Sequence, residues 1–287
     1  MLISSVSPIT IPPEWSAEIN KGRVFLARVY PLFSSSSGNS SFIGTREGGI
    51  LIDAGVSCKR LVNALKQNDL DETSVKAIFV THDHSDHIAG LKVFTNHRPV
   101  PIIASEATLE FLIKHDHISP ACRTIEMRDR EVVGCGFRVT GFNTPHDAFG
   151  SLGYKIYTPD GKTMCICTDL GYVTEEIDRE LTGSDLVLLE SNYDEHMLKS
   201  GPYPYQVKQR IASRQGHLSN TDSARQVKKL LQSGTKTIIL GHLSQENNTP
   251  IIAQNTLLRE LGDEFVRDRD YTLHIAPVET NGLAVTF

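Results

Sequence analysis

Thr81-His82-Asp83-His84-Ser85-Asp86-His87 follows the apolar run Ala77-Ile78-Phe79-Val80 without a break. Three imidazoles and two carboxylates thus crowd together where a buried strand ends. Side chains of this kind repel and desolvate one another unless a cation is among them. A solvated His-rich turn is the bland alternative. Against it, a strand before the loop and helical spacing after it make a rigid platform for ligands. The His-x-His-x-Asp-His spacing therefore points to a two-metal hydrolase whose remaining ligands lie elsewhere in the chain.

Composition narrows the class. The chain has 287 residues, 39% of them apolar and 22% charged, which suits an ordinary globular protein with a sizeable core. A formal charge of −5 gives no global attraction to nucleic acid, although it leaves room for a local basic groove. Cys58, Cys122, Cys135, Cys165 and Cys167 form no C-x-x-C pair and read as reduced thiols. No apolar run of about eighteen residues occurs, nor a basic-then-apolar leader. The expectation is a cytoplasmic protein without a membrane partner.

Outward from the loop, strands and helices alternate. Residues 1–22 contain Pro8, Pro12 and Pro13 and read as an N-terminal extension. Residues 23–30 read as a first strand, and the serine-rich stretch 34–41 as either a hairpin connection or a pocket lining. A short strand ends at Asp53, which is either a helix N-cap or the partner of a ligating imidazole. Helical spacing follows over 57–67, then strand 76–80, and a helix carries the opening loop on through Ile88, Leu91 and Phe94. Strand 101–104 and helix 106–114 come next, with His115 and His117 read as dipole contacts at the helix end. From 124 to 157 the period is two, interrupted by Asn143-Thr144-Pro145-His146-Asp147. Strands over 162–168, 185–189, 236–240, 271–276 and 283–287 alternate with helices over 174–181, 205–213, 221–231 and 250–261. One α/β layered domain over 23–287 is expected.

Five apolar strands end in Asp53, His82, His146, Asp169 and His242, and a sixth ends in Glu190. Strand ends on one edge of a sheet converge, and α/β folds place ligand sites there. One such residue means little; the set is a site.

These residues resemble the five-motif pattern of the metallo-β-lactamase-fold hydrolases, over nearly the whole chain after its first strand. The resemblance implies an α/β (α+β) fold, a four-layer αββα sandwich with a metal site on its open edge. It implies two divalent metal ions: one held by His82, His84 and His146, the other by Asp86, His87 and His242. Asp169 would bridge both and Asp53 would support the loop, with Asp86 counted among the catalytic residues as well. The imidazole-rich side suits zinc, and the side with carboxylates admits manganese or iron. Zinc β-lactamases commonly carry a cysteine at the bridge or lack the shared carboxylate, so Asp169 favours phosphate oxygens. Pro145 and Asp147 depart from the Gly and Thr that usually flank the third-motif histidine in the glyoxalase II branch.

The second half narrows this further. Glu190 and Gly216-His217-Leu218-Ser219-Asn220 resemble the Glu/His pair of the tRNase Z branch, where the pair protonates the leaving oxygen. By that resemblance His217 is the general acid and Glu190 raises its proton affinity. Asn220 as N-cap of the next helix also suits the neighbourhood. With Ser35-Ser36-Ser37-Gly38-Asn39-Ser40 and Gly241-His242-Leu243-Ser244-x-Glu246-Asn247-Asn248, these motifs resemble the YycJ/WalJ group, bacterial cytoplasmic proteins described as DNA exonuclease-like. The implied activity is phosphodiester hydrolysis on nucleic acid, DNA above all, in the 5′ to 3′ direction. Ser244, Asn247 and Asn248 are candidate donors to substrate phosphate. Lys208, Arg210 and Arg214 form either a phosphate-binding face or a solvated helix surface. The alternative substrates are small cyclic phosphodiesters or nucleotides, and a non-catalytic metal sensor is the third reading. Oligomeric state is not legible.

Overall fold

A strand covered on both faces is apolar along most of its length, and the central strands here read that way. In the computed structural model, which describes residues 9–10, 26–45, 48–127, 131–134 and 136–287, they form two sheets. The first has the order β15-β2-β3-β4-β5-β6-β7. Its strands are β2 (Arg28–Ser35), β3 (Gly38–Thr45), β4 (Gly48–Ile52), β5 (Val75–Phe79), β6 (Ile102–Ala104), β7 (Thr124–Glu126) and β15 (Val285–Thr286). The second has the order β1-β8-β9-β10-β11-β12-β13-β14. It contains β1 (Ile9–Thr10), β8 (Glu131–Gly134), β9 (Phe137–Asn143), β10 (Leu152–Tyr157), β11 (Thr163–Cys167), β12 (Leu186–Glu190), β13 (Thr237–Gly241) and β14 (Thr272–Ile275). Apart from Ile9 and Thr10, the extension expected over 1–22 lies outside the described residues, as do positions 23–25 of the first expected strand and Cys135.

Side-chain alternation builds four layers. Ile50, Ile52 and Phe79 of the first sheet meet Tyr154, Ile166, Leu188 and Ile239 of the second in a central core. Leu51 and Ile78, on the other face, pack under helices α1 (Cys58–Gln67), α3 (Leu91–His97) and α4 (Glu106–Lys114). Cys165, Val187 and Leu240 likewise pack under α5 (Glu175–Leu181), α8 (Asn220–Gln232) and α9 (Pro250–Leu261). Each fully buried Leu, Ile or Phe contributes roughly 1.5–3 kcal/mol, so these three cores dominate stability. Among the described residues no helix is long and apolar enough to cross a membrane.

Three departures from the sequence reading have local causes. The serine-rich stretch is mostly strand: β2 runs through Ser35 and β3 resumes at Gly38, leaving Ser36 and Ser37 as the turn. The helix expected from the His-rich loop onward is broken into α2 (Ser85–Ile88) and α3. At the break, a Cβ on Gly90 would come 2.1 Å from the Val56 carbonyl oxygen, so only glycine permits this approach. Two short helices, α6 (Glu195–Ser200) and α7 (Tyr205–Ile211), follow β12; α6 has no counterpart in the sequence reading.

Candidate metal centre

Parallel pairing in β11, β12 and β13 aligns Cys167 with Leu189 and Leu189 with Leu240, so Asp169, Glu190 and His242 emerge at one edge. In the first sheet Ile52 aligns with Phe79, which brings out Asp53 and the loop after Val80. Asp53, Asp169 and His242 have φ of 62°, 59° and 54°. Non-glycine residues seldom adopt this left-handed conformation, and it clusters at functional sites. Hydrogen bonds hold the turns: Asp53 N donates to Phe79 O (2.8 Å), and His242 N to Ser34 Oγ (2.8 Å). A Cβ on Gly55 would lie 1.7 Å from the Asp86 carbonyl oxygen, so the loops after β4 and β5 interlock through a glycine.

The outer nitrogen of each imidazole faces a protein partner, and this fixes which nitrogen faces inward. His82 Nδ1 lies 3.0 Å from Thr81 Oγ1, and His87 Nδ1 2.8 Å from Asp53 Oδ2. His146 Nδ1 is 3.1 Å from Gly216 O, and His242 Nδ1 2.6 Å from Glu190 Oε1. His84 is the exception in orientation: its Nε2 faces Asp147 Oδ1 at 3.7 Å, and its Nδ1 lies 3.3 Å from His146 Nε2. Inward therefore point Nε2 of His82, His87, His146 and His242, and Nδ1 of His84. Donor atoms of His82, His84 and His146 fall within 4.8 Å of one another, and so do those of Asp86, His87 and His242. Asp169 lies between the groups, with Oδ1 3.7 Å from His146 Nε2 and Oδ2 3.3 Å from His87 Nε2.

Buried polar atoms almost always find partners, yet among the described residues His82 Nε2, His242 Nε2 and Asp169 Oδ2 have no hydrogen bond. All three aim into the cluster. Charge adds to this. Burial, followed by the neighbouring rings of His87, His146 and His84, pushes His82 well below the usual imidazole range, leaving a neutral donor. Burial also disfavours charge on His242, but Asp169, Asp86 and Glu190 overcome it and raise the ring to about 10. Burial opposes the ionisation of Asp86 as well, and its contacts with His242 and His87 nevertheless hold it below the usual carboxylate range. The neutral His82 ring, carboxylates that draw positive charge onto His242, and the orphaned donor atoms together fit divalent cations.

Glu190 is wholly buried and serves both halves of this edge. Its Oε2 accepts from Leu170 N (3.1 Å) and Leu218 N (2.9 Å). Its Oε1 faces His242 Nδ1 and also His217 Nδ1 at 2.9 Å. The His217 ring lies 5.2 Å from that of His146 and 5.3 Å from that of His242.

The expected residues Asp53, His82, His84, Asp86, His87, His146, Asp169, Glu190, His217 and His242 thus occupy one site. Ser57, not Asp53, stands at the N-cap of α1, and Ser219, not Asn220, caps α8. The expected phosphate donors are placed differently. Asn248 Nδ2 donates to Ser191 O (2.8 Å) and Asn220 Oδ1 (2.8 Å), and its Oδ1 accepts from Asn220 Nδ2 (2.9 Å). Asn247 is fully buried, and Ser244 Oγ accepts from its backbone N–H at 3.1 Å. Asn-rich turns look alike whether they face substrate or protein; this one faces protein. The sequence reading missed Asn39, whose Nδ2 lies 3.2 Å from Asp86 Oδ2 and 3.1 Å from His87 Nε2. An asparagine in a hairpin of serines carries no signal of its own.

Four layers with a histidine- and carboxylate-lined edge define a hydrolase of the metallo-β-lactamase fold, a class that works with divalent metal ions. The chain belongs to the β-lactamase superfamily: the family model described as "Beta-lactamase superfamily domain" matches residues 49–243. It is 35% identical over 234 residues to exodeoxyribonuclease WalJ of Streptococcus pneumoniae serotype 2 (strain D39), covering 80% of this chain and 86% of that protein. Among solved structures, the metallo-β-lactamase fold protein YhfI of Bacillus subtilis matches with TM-score 0.67 and 18% identity, covering 91% of this chain and 99% of that one. Zn(2+)-bound PqqB of Methylobacterium extorquens matches with TM-score 0.68 and 17% identity over 91% of this chain and all of that one (100%). These two show the shared fold.

Proposed function

We propose that the chain is a two-metal phosphodiesterase that degrades DNA from the 5′ end. The observation that carries this reading is the sharing of Glu190 Oε1 by His242 (2.6 Å) and His217 (2.9 Å). One carboxylate then orients a metal-binding imidazole and a proton donor together, as bond cleavage with a poor leaving oxygen requires. The similarity to a protein named exodeoxyribonuclease supports DNA as the substrate.

His82, His84 and His146 would hold one ion, Asp86, His87 and His242 the other, and Asp169 would reach both. The first set suits zinc; the carboxylates of the second also admit manganese or iron. Bound there, two divalent ions supply an activated water and positive charge for the phosphate oxygens. Asp53 holds the His87 ring with Nε2 inward. His217, its Nδ1 bound to Glu190, presents Nε2 for proton transfer to the leaving oxygen. Cys58, Cys122, Cys165 and Cys167 are free thiols, which supports a reducing, cytoplasmic setting.

The test offers metal-reconstituted protein to 5′- and 3′-labelled single- and double-stranded DNA, to RNA, and to bis(p-nitrophenyl) phosphate. Expected are cleavage of the small diester and stepwise loss of DNA from the 5′ end, both abolished by chelation. Small-diester cleavage without DNA degradation would overturn the nuclease reading in favour of small cyclic phosphodiesters or nucleotides.

A further inference from the structure

Lys208, Arg210 and Arg214 look equivalent in sequence, and the structure separates them. Lys208 Nζ donates to Lys199 O (2.9 Å) and Gly201 O (2.7 Å), so it closes the α6–α7 turn. The Arg214 guanidinium lies over the Tyr172 ring, 3.9 Å from its centroid. Arg210 instead turns to the metal-site rim, where its Nε donates to Asp147 Oδ2 (2.5 Å). Asp147 Oδ1 lies 3.3 Å from His146 Nε2 and 3.7 Å from His84 Nε2, so one carboxylate spans the cluster and the guanidinium. The side chain of Arg210 is 56% exposed. Among the described residues its Nη1 and Nη2 make no hydrogen bond.

The backbone holds α7 at that rim. His217 N donates to Ile211 O at 2.9 Å, and Gly216 O faces His146 Nδ1 at 3.1 Å. A Cβ on Gly216 would lie 2.2 Å from the Arg210 and Ile211 carbonyl oxygens, so the return to His217 is as tight as glycine allows. The charges of Asp86 and Asp169 also reach the guanidinium, beyond its hydrogen bond to Asp147.

We propose that Arg210 receives the non-bridging oxygens of the scissile phosphodiester, and that Asp147 is its positioning residue. This rests on the phosphodiesterase reading above. With Nε engaged by Asp147, the two terminal nitrogens remain as a paired donor, which matches the two non-bridging oxygens. A fixed cation beside a phosphate that gains charge in the transition state favours reaction over binding. Lysine carries its three N–H donors on one tetrahedral nitrogen at the end of a flexible stem, so with Asp147 engaged it presents no planar, parallel pair.

The experiment compares wild type, Arg210→Ala, Arg210→Lys and Asp147→Ala as metal-loaded proteins. It reads kcat and KM on bis(p-nitrophenyl) phosphate and on single-stranded DNA, metal content by mass spectrometry, and oligonucleotide affinity against salt in a His217→Ala background. Expected for Arg210→Ala is a loss of about 10²-fold in kcat/KM on both substrates with metal retained. The salt slope of single-strand binding should fall by about 0.7, the share of one cation. Arg210→Lys should recover only part of the rate, and Asp147→Ala should fall between wild type and Arg210→Ala. Wild-type rates in Arg210→Ala would overturn the proposal, and so would metal loss that tracks its activity. A defect on DNA alone would also overturn it, because Arg210 would then serve a neighbouring phosphate. If wild type cleaves neither substrate, the phosphodiesterase reading falls and takes this inference with it; if wild type cleaves both, only the role of Arg210 is in question.

Discussion

Asp53 and Glu190 are the same device on the two sheets, used differently. Each is a buried carboxylate at a strand end, and each faces the Nδ1 of an inward-pointing imidazole, His87 at 2.8 Å and His242 at 2.6 Å. Asp53 spends its remaining capacity on the loop it supports, accepting from Thr81 N and Thr81 Oγ1. Glu190 reaches two backbone N–H groups from distant loops and a second imidazole, His217. The first sheet thus builds a platform, and the second joins a platform to His217, the proposed proton donor. That asymmetry is what the proposed phosphodiester chemistry draws on.

Three substitutions probe the asymmetry. Glu190→Gln should do the most damage, because it loosens His242 and His217 at once. Lost metal affinity of about 10–100-fold compounds with lost acid catalysis of about 10²–10⁴-fold, read as metal content and kcat on DNA. His217→Ala should lose about 10²–10⁴-fold on DNA with metal retained, and far less on a diester with a nitrophenol leaving group. Metal loss in that variant would make His217 a ligand and dissolve the distinction drawn here. Asp53→Asn should cost about 10–100-fold in metal affinity, with equal proportional losses on good and poor leaving groups at saturating metal. Leaving-group dependence there would mean the two carboxylates do the same work.

The platform was legible in sequence because its evidence is local. His82 to His87 is contiguous, and strands buried on both faces read as apolar runs, such as 77–80 and 238–240. The strand-end residues were legible as a set, since the layered fold brings strand termini together. What escaped depends on contacts between distant segments. The break between α2 and α3 follows from Gly90 meeting the Val56 carbonyl, and no periodicity records that. Asn39 reaches Asp86 only because the hairpin of β2 and β3 folds over the loop after β5. The second task of Glu190, on His242, depends on the register of β12 against β13. Arg210 differs from Arg214 only in what surrounds it.

Asn248 gives the smallest effect and the cleanest separation of frame from chemistry. Its amide joins the loop after β12, through Ser191 O and Asn192 O, to Asn220 at the start of α8. These are the segments that carry Glu190 on one side and His217 on the other. Asn248→Ala leaves the buried Asn220 amide short of partners, a penalty of about 1–3 kcal/mol. In a chain of this size each kcal/mol lowers Tm by roughly 2–4 °C, which calorimetry resolves. With the frame weakened but still folded below that Tm, the small-diester rate at 25 °C should match wild type. A lower rate at unchanged Tm would return Asn248 to the substrate and show that the second half of the edge carries a phosphate contact there.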